Sequence, residues 1–101
     1  MRRNVFAPRA RRELIRAAVR IAESNPDAGD DLITEAIKAA ERVCAKPTLA
    51  RTDLRFAPDR YRFWSIHRFH YLLVIDTLVD PPVIARFIHQ SRDLPVILRD
   101  L

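Results

Sequence analysis

Pro47 separates two stretches whose apolar residues repeat with different periods, and no single type of secondary structure satisfies both. Before it, Leu14, Ala17, Ala18, Ile21 and Ala22 recur at three and four residues. Leu32, Ile33, Ala36, Ile37, Ala40, Val43 and Cys44 do the same, and this is the spacing of one helix face. After it, Tyr61 to His67 is rich in aromatic and β-branched residues, and Tyr71-Leu72-Leu73-Val74-Ile75-Asp76 is an unbroken apolar run. Continuous apolarity predicts a central strand covered on both faces.

Local signals set the boundaries. Arg3 to Ala7 is short and partly apolar and reads as a first strand. Pro8 suits the first turn of a helix, where its missing N–H costs nothing. Asn25-Pro26-Asp27 supplies an N-cap, a first-turn proline and an acid at the positive end of the helix dipole. It ends one helix and begins the next, and so short a joint folds the two back as an antiparallel hairpin. Lys46 to Asp59 is a connection of mixed character, and Arg68-Phe69 marks a tight turn between strands. After the breaker Asp80-Pro81-Pro82, Val83 to Gln90 reads as a further strand. Simple alternation there puts Val83, Ala85, Phe87 and His89 on one face and Ile84, Arg86, Ile88 and Gln90 on the other. Asp93 to Leu98 is expected as a short helical turn or an apolar tail lying back on the sheet. The order β-α-α-β-β-β predicts an α+β fold, with a helical hairpin on one face of a small antiparallel sheet.

A chain of 101 residues makes one domain, spanning 1–101, with one core. Its single glycine excludes a glycine-rich phosphate loop. Cys44 has no partner for an internal disulfide, which fits a reducing cytoplasm, and no segment has the apolar length of a membrane span or signal peptide. The net charge is +5, and all basic residues except Lys38 and Lys46 are arginine, whose planar fork suits carboxylates and phosphates. Residues 1–20 hold seven arginines against Glu13 alone, whereas residues 21–50 are net acidic. Such a surface suits an anionic protein or a nucleic acid, and charge alone does not separate them.

Several constellations invite chemistry. His67, His70 and His89 are potential metal ligands, but no cysteine or carboxylate completes a spacing that holds an ion, so no metal is expected and no cofactor either. Asp27, Asp30 and Asp31 fall in the first turn of a helix, where compensating its dipole is their simpler role. Cleavage of RNA through its own 2′-OH needs a base, an acid and cations around the charged phosphorus. Arg62, Arg86, His89 and Arg92 offer cations and one imidazole, or equally a surface set of ion pairs. Tyr61, Phe63, Trp64 and Phe69, beside Arg60, Arg62 and Arg68, have the composition of a base-stacking surface, although core and cross-strand packing explain such a stripe more simply.

The C-terminal part carries a more specific pattern: the strand Val83-Ile84-Ala85-Arg86-Phe87-Ile88-His89, then Ser91-Arg92-Asp93-Leu94. With Ala10 to Leu14 opening the first helix, Pro47 after the second and Arg60-Tyr61-Arg62-Phe63-Trp64 opening the sheet, the chain resembles the ParE toxins of the RelE/ParE superfamily. It departs from them at Thr48-Leu49-Ala50-Arg51, where a glycine and arginine pattern is common, and at the glycine-free turn Arg68-Phe69. The resemblance implies a type II toxin that poisons DNA gyrase by binding, held inactive in the bacterial cytoplasm by a ParD-type antitoxin in a hetero-oligomer, with no membrane and no specific nucleic acid. It points to Arg86, His89, Arg92 and Asp93 as target contacts, and to Leu14, Ile21, Ile37 and Trp64 as antitoxin contacts. RelE-like relatives instead cut messenger RNA on the ribosome, often with a C-terminal tyrosine, and no tyrosine follows Tyr71 here. A remnant that only binds antitoxin is the third possibility.

Overall fold

The computed structural model describes residues 5–101. Helix α1 (Pro8–Ala22) starts at its proline, and α2 (Pro26–Ala45) is capped by Asn25, whose Oδ1 accepts the Ala28 N–H at 3.2 Å. The three-residue joint folds the helices into a hairpin that turns Leu14, Ala17, Ala18, Leu32, Ala36, Ala40 and Val43 into the core.

The small residues matter at one place in particular. A Cβ on Gly29 would lie 2.8 Å from the Ala18 carbonyl oxygen and 2.9 Å from Ala22 Cβ, so the glycine sets how closely the helices approach. Gly29→Ala should lower stability by about 1 kcal/mol, because an overpacking cost of about 1–3 kcal/mol exceeds a helix-propensity gain of about 1 kcal/mol. Urea unfolding measures this, and a more stable variant would mean that the hairpin yields without cost.

Strands β1 (Tyr61–Ile66), β2 (Tyr71–Asp76) and β3 (Val83–His89) form an antiparallel sheet in the order β1-β2-β3. As the unbroken apolar run implies, β2 is central and all six of its residues are buried. Asp76 closes it as an ion pair, with Arg60 Nε and Nη2 donating at 3.2 and 2.7 Å. On the helix side Ile66, Tyr71, Leu73, Ile75, Ile84 and Phe87 meet the hairpin. On the outer side Tyr61, Phe63, Leu72, Val74 and Ile88 form a second, smaller apolar layer with Ala57 and Leu98.

Two expectations need correction. The alternation assigned to β3 fails because the register shifts between Val74 and Ile75. Val74 pairs with Arg86 and Ile75 with Ile84, so Ala85 is an extra residue. This bulge turns Ile84 and Phe87 to the same helix-facing side, while Ala85 packs with the outer layer. The first strand is reduced, within the described residues, to one parallel bridge between Phe6 and Ile84. Ile84 N–H donates to the Val5 carbonyl at 2.7 Å and Ala7 N–H to the Ile84 carbonyl at 2.9 Å. Arg3 and Asn4, also assigned to that strand, lie outside the described residues.

The tail satisfies both of its expectations at once. Leu94–Ile97 is a single helical turn, α3, continued by a 3-10 turn at Leu98–Asp100. Buried Leu98, with Leu94, Ile97 and Leu101 around it, covers part of the outer sheet face. Among the described residues no helix is long and apolar enough to cross a membrane.

Candidate functional site

Beyond its bridge with Phe6, strand β3 is an edge, and its neighbour there is α1. Where they meet, Glu13 reaches the strand and accepts from Arg86 Nε at 3.1 and 3.0 Å, from Arg86 Nη2 at 2.7 Å and from the Phe87 N–H at 3.0 Å. Arg86 also donates from Nη1 to the Ile97 carbonyl at 3.1 Å. The arginine is 6% exposed, so one planar guanidinium ties helix, edge strand and tail together in a poorly solvated place. A charge held there is stable only because both partners are present.

Beyond this pin the edge opens into a groove of about 560 Å³ between α1 and the end of β3. Ala17, Ile21, Phe69, Tyr71 and Phe87 supply its apolar surface, and Arg16, Arg20 and Arg92 supply charge. These three arginines form no ion pair with a described residue. Helical spacing explains their alignment, because Arg16 and Arg20 are four apart on one side of α1. Strand alternation aims the Phe87 carbonyl and the His89 N–H outward, as it does the Phe87 N–H that Glu13 takes.

His89 is half-buried at the groove's end, with its ring edge-on to Tyr71 at 5.0 Å between centroids. Its Nδ1 lies 2.6 Å from Ser91 Oγ and accepts the Ser91 N–H at 3.1 Å. With Nδ1 engaged by Ser91, Nε2 is the ring nitrogen left for another partner.

The residues singled out from sequence divide accordingly. Arg86, His89 and Arg92 line one groove, Arg86 as its internal pin and Arg92 as an exposed cation. Asp93 is exposed, does not line the groove and starts the tail turn through its carbonyl, which accepts the Ile97 N–H at 2.9 Å. Ile21 lines the groove, whereas Leu14 is buried within the core. Ile37 is half-buried against the core, and Trp64 lies under Arg42, whose guanidinium carbon is 5.7 Å from the ring centre. Trp64 borders a separate hollow of about 410 Å³ beside α2. The His70 and His89 rings are 6.3 Å apart, and among the described residues no group of three potential metal ligands converges. Residue patterns missed Glu13 as a site element, since its partners are 73 and 74 positions away. Its one available signal was being the sole acid among seven arginines.

The sequence pattern of one protein family, described as ParE toxin of type II toxin-antitoxin system, parDE, matches residues 5–94. No curated protein and no solved structure matches the chain. The match spans the hairpin, all three strands and the groove between α1 and β3, so the chain belongs to the ParE toxin family of type II toxin-antitoxin systems.

Proposed function

We propose that this toxin arrests growth by binding DNA gyrase, and that a ParD-type antitoxin neutralises it by filling the groove between α1 and β3. The observation that carries this reading is the coincidence, in one groove, of arginines that form no ion pair with a described residue, an apolar lining and outward backbone groups at the end of β3. An extended acidic segment meets all three requirements: its carboxylates pair with Arg16 and Arg20, its side chains cover Ile21 and Phe69, and its backbone continues the sheet. Ile37 and Trp64 offer half-buried surfaces to the further course of the antitoxin, with Leu14 supporting the groove from within. The exposed turn from His89 through Arg92 and Asp93 is the target contact, which an antitoxin lying in the groove would obstruct.

A carboxylate-driven route to bond-breaking is disfavoured by the state of the groove's acid. Glu13 is the one carboxylate among the lining residues, and its oxygens already accept from Arg86 and Phe87. A general base needs a free lone pair within reach of its proton.

Purified toxin should therefore inhibit supercoiling of plasmid by gyrase while leaving messenger RNA intact on translating ribosomes. Cleavage of messenger at codon positions would replace this reading with a RelE-like nuclease. Arg92→Ala combined with His89→Ala should abolish growth arrest and weaken gyrase inhibition at least about tenfold, the scale of one lost charge-assisted contact. Antitoxin affinity should fall less than gyrase inhibition does, because Arg16, Arg20 and the apolar lining of the groove remain. A double variant that stays fully toxic would remove these residues from the target contact.

A further inference from the structure

The outer face of the sheet is only partly covered. The loop through Phe56 and Ala57 and the tail through Leu98 close one end, and at the other a hollow of about 730 Å³ remains. It shares no lining residue with the groove on the α1 side. Its floor is Phe63 and Leu72, and Phe56, edge-on to Phe63 at 6.3 Å, and Leu94 form walls. A size of this order is within the range that holds a small organic molecule.

The polar groups around this floor are of two kinds. Ser65 and Gln90 meet across it, with Gln90 Nε2 donating to Ser65 Oγ. That bond leaves the Ser65 hydroxyl hydrogen, the Gln90 carbonyl oxygen and one Gln90 N–H unused, a mixed donor and acceptor edge. Arg51 and His67 are the second kind. Arg51 bridges to Phe63 in antiparallel register, which places both side chains on the outer face, and neither Arg51 nor His67 has an ion pair with a described residue. The acid that lines the hollow, Asp53, is matched chiefly by Arg55, which donates to it at 3.0 and 2.7 Å and, with a smaller contribution from the charge of Arg51, holds its carboxyl below the ordinary value. Arg55 in turn lies over Phe56, 5.1 Å from the ring centre.

We propose that this hollow binds a nucleotide, its base on the Phe63–Leu72 floor beside Phe56 and against the Ser65–Gln90 pair, and its phosphate on Arg51 and His67. A planar heteroaromatic ring matches the apolar floor, its hydrogen-bonding edge matches the mixed pair, and an attached anion matches two basic side chains that form no ion pair with a described residue. A peptide carboxylate would use Arg51 and leave the amide and hydroxyl unanswered. The same chemistry is present in a free mononucleotide and at the end of a single strand.

Trp64 borders the hollow and is the only tryptophan, so its fluorescence reports occupancy. The protein is titrated with the four nucleoside 5′-monophosphates, with inorganic phosphate, and with single-stranded RNA and DNA 12-mers. Saturable binding of at least one monophosphate or 12-mer, more than tenfold tighter than phosphate, is expected. Arg51→Gln and, separately, Gln90→Leu should each weaken it about tenfold, whereas Arg11→Ala, on the far side of α1, should not. A 12-mer binding more than tenfold tighter than any monophosphate identifies a strand end, and equal affinities identify a free nucleotide. Absence of saturable binding by every probe, or binding that neither Arg51→Gln nor Gln90→Leu changes while both variants keep the parent's urea midpoint, overturns the proposal.

Discussion

Glu13→Ala should destabilise the toxin by about 3–5 kcal/mol, the cost of leaving a buried charge without its partner. The substitution strands the Arg86 guanidinium where only the Ile97 carbonyl and a long contact to Asp100 at 3.8 Å remain, and it frees the Phe87 N–H at the strand edge. A small domain has only about 5–15 kcal/mol of net stability, so this one change threatens the fold. Arg86→Met added to Glu13→Ala should recover much of the loss, because the uncompensated charge is then gone and an apolar chain of similar reach takes its place. Urea denaturation of the two single variants and the double variant measures the coupling. Additive losses would mean that helix and strand are held by packing alone.

Phe87→Ala should cost about 3–5 kcal/mol as well, through a different mechanism. Phe87 is 2% exposed and lies flat on Tyr71, with centroids 4.8 Å apart and planes 5° from parallel. Removing the ring deletes contacts with both the hairpin core and Tyr71, and the close-packed surroundings collapse only partly into the space. Tyr71 is also the ring against which His89 sits edge-on, so its loss of support should loosen the imidazole at the groove's end. Thermal unfolding measures the first effect. Faster exchange of the His89 side-chain resonances, followed by nuclear magnetic resonance in the folded fraction, measures the second. A variant that unfolds like the parent would show that the stack contributes little.

The chain disclosed its secondary structure through period and punctuation. Leu14 to Ala22 and Leu32 to Cys44 are helical because their apolar residues share a face, and Asn25-Pro26 places the joint. The run at 71–75 announced a covered central strand because no residue in it could face water without exposing an apolar group. What stayed hidden depends on one strand meeting another element. The extra residue at Ala85 has no local signature, since Val83 to His89 alternates acceptably in either register. For the same reason the roles of Arg86 and Glu13 were closed to local reading: an arginine in a strand has the same spelling whether it faces solvent or a carboxylate on a distant helix. The groove itself was half legible, in the basic face of α1 and the Arg92 turn, but nothing in sequence says that those two arrive side by side.

The attachment of α1 to β3 also orders events during synthesis. A ribosome releases the helical hairpin first, and its apolar face is not fully covered until residues 83–89 have followed, because Ile84 and Phe87 belong to that cover and the backbone N–H that Glu13 accepts lies in β3. In the proposed reading the target contact and the groove are therefore both incomplete until the last strand and its tail turn have emerged, so neither the toxin's action nor an antitoxin's grip on the groove can precede that moment.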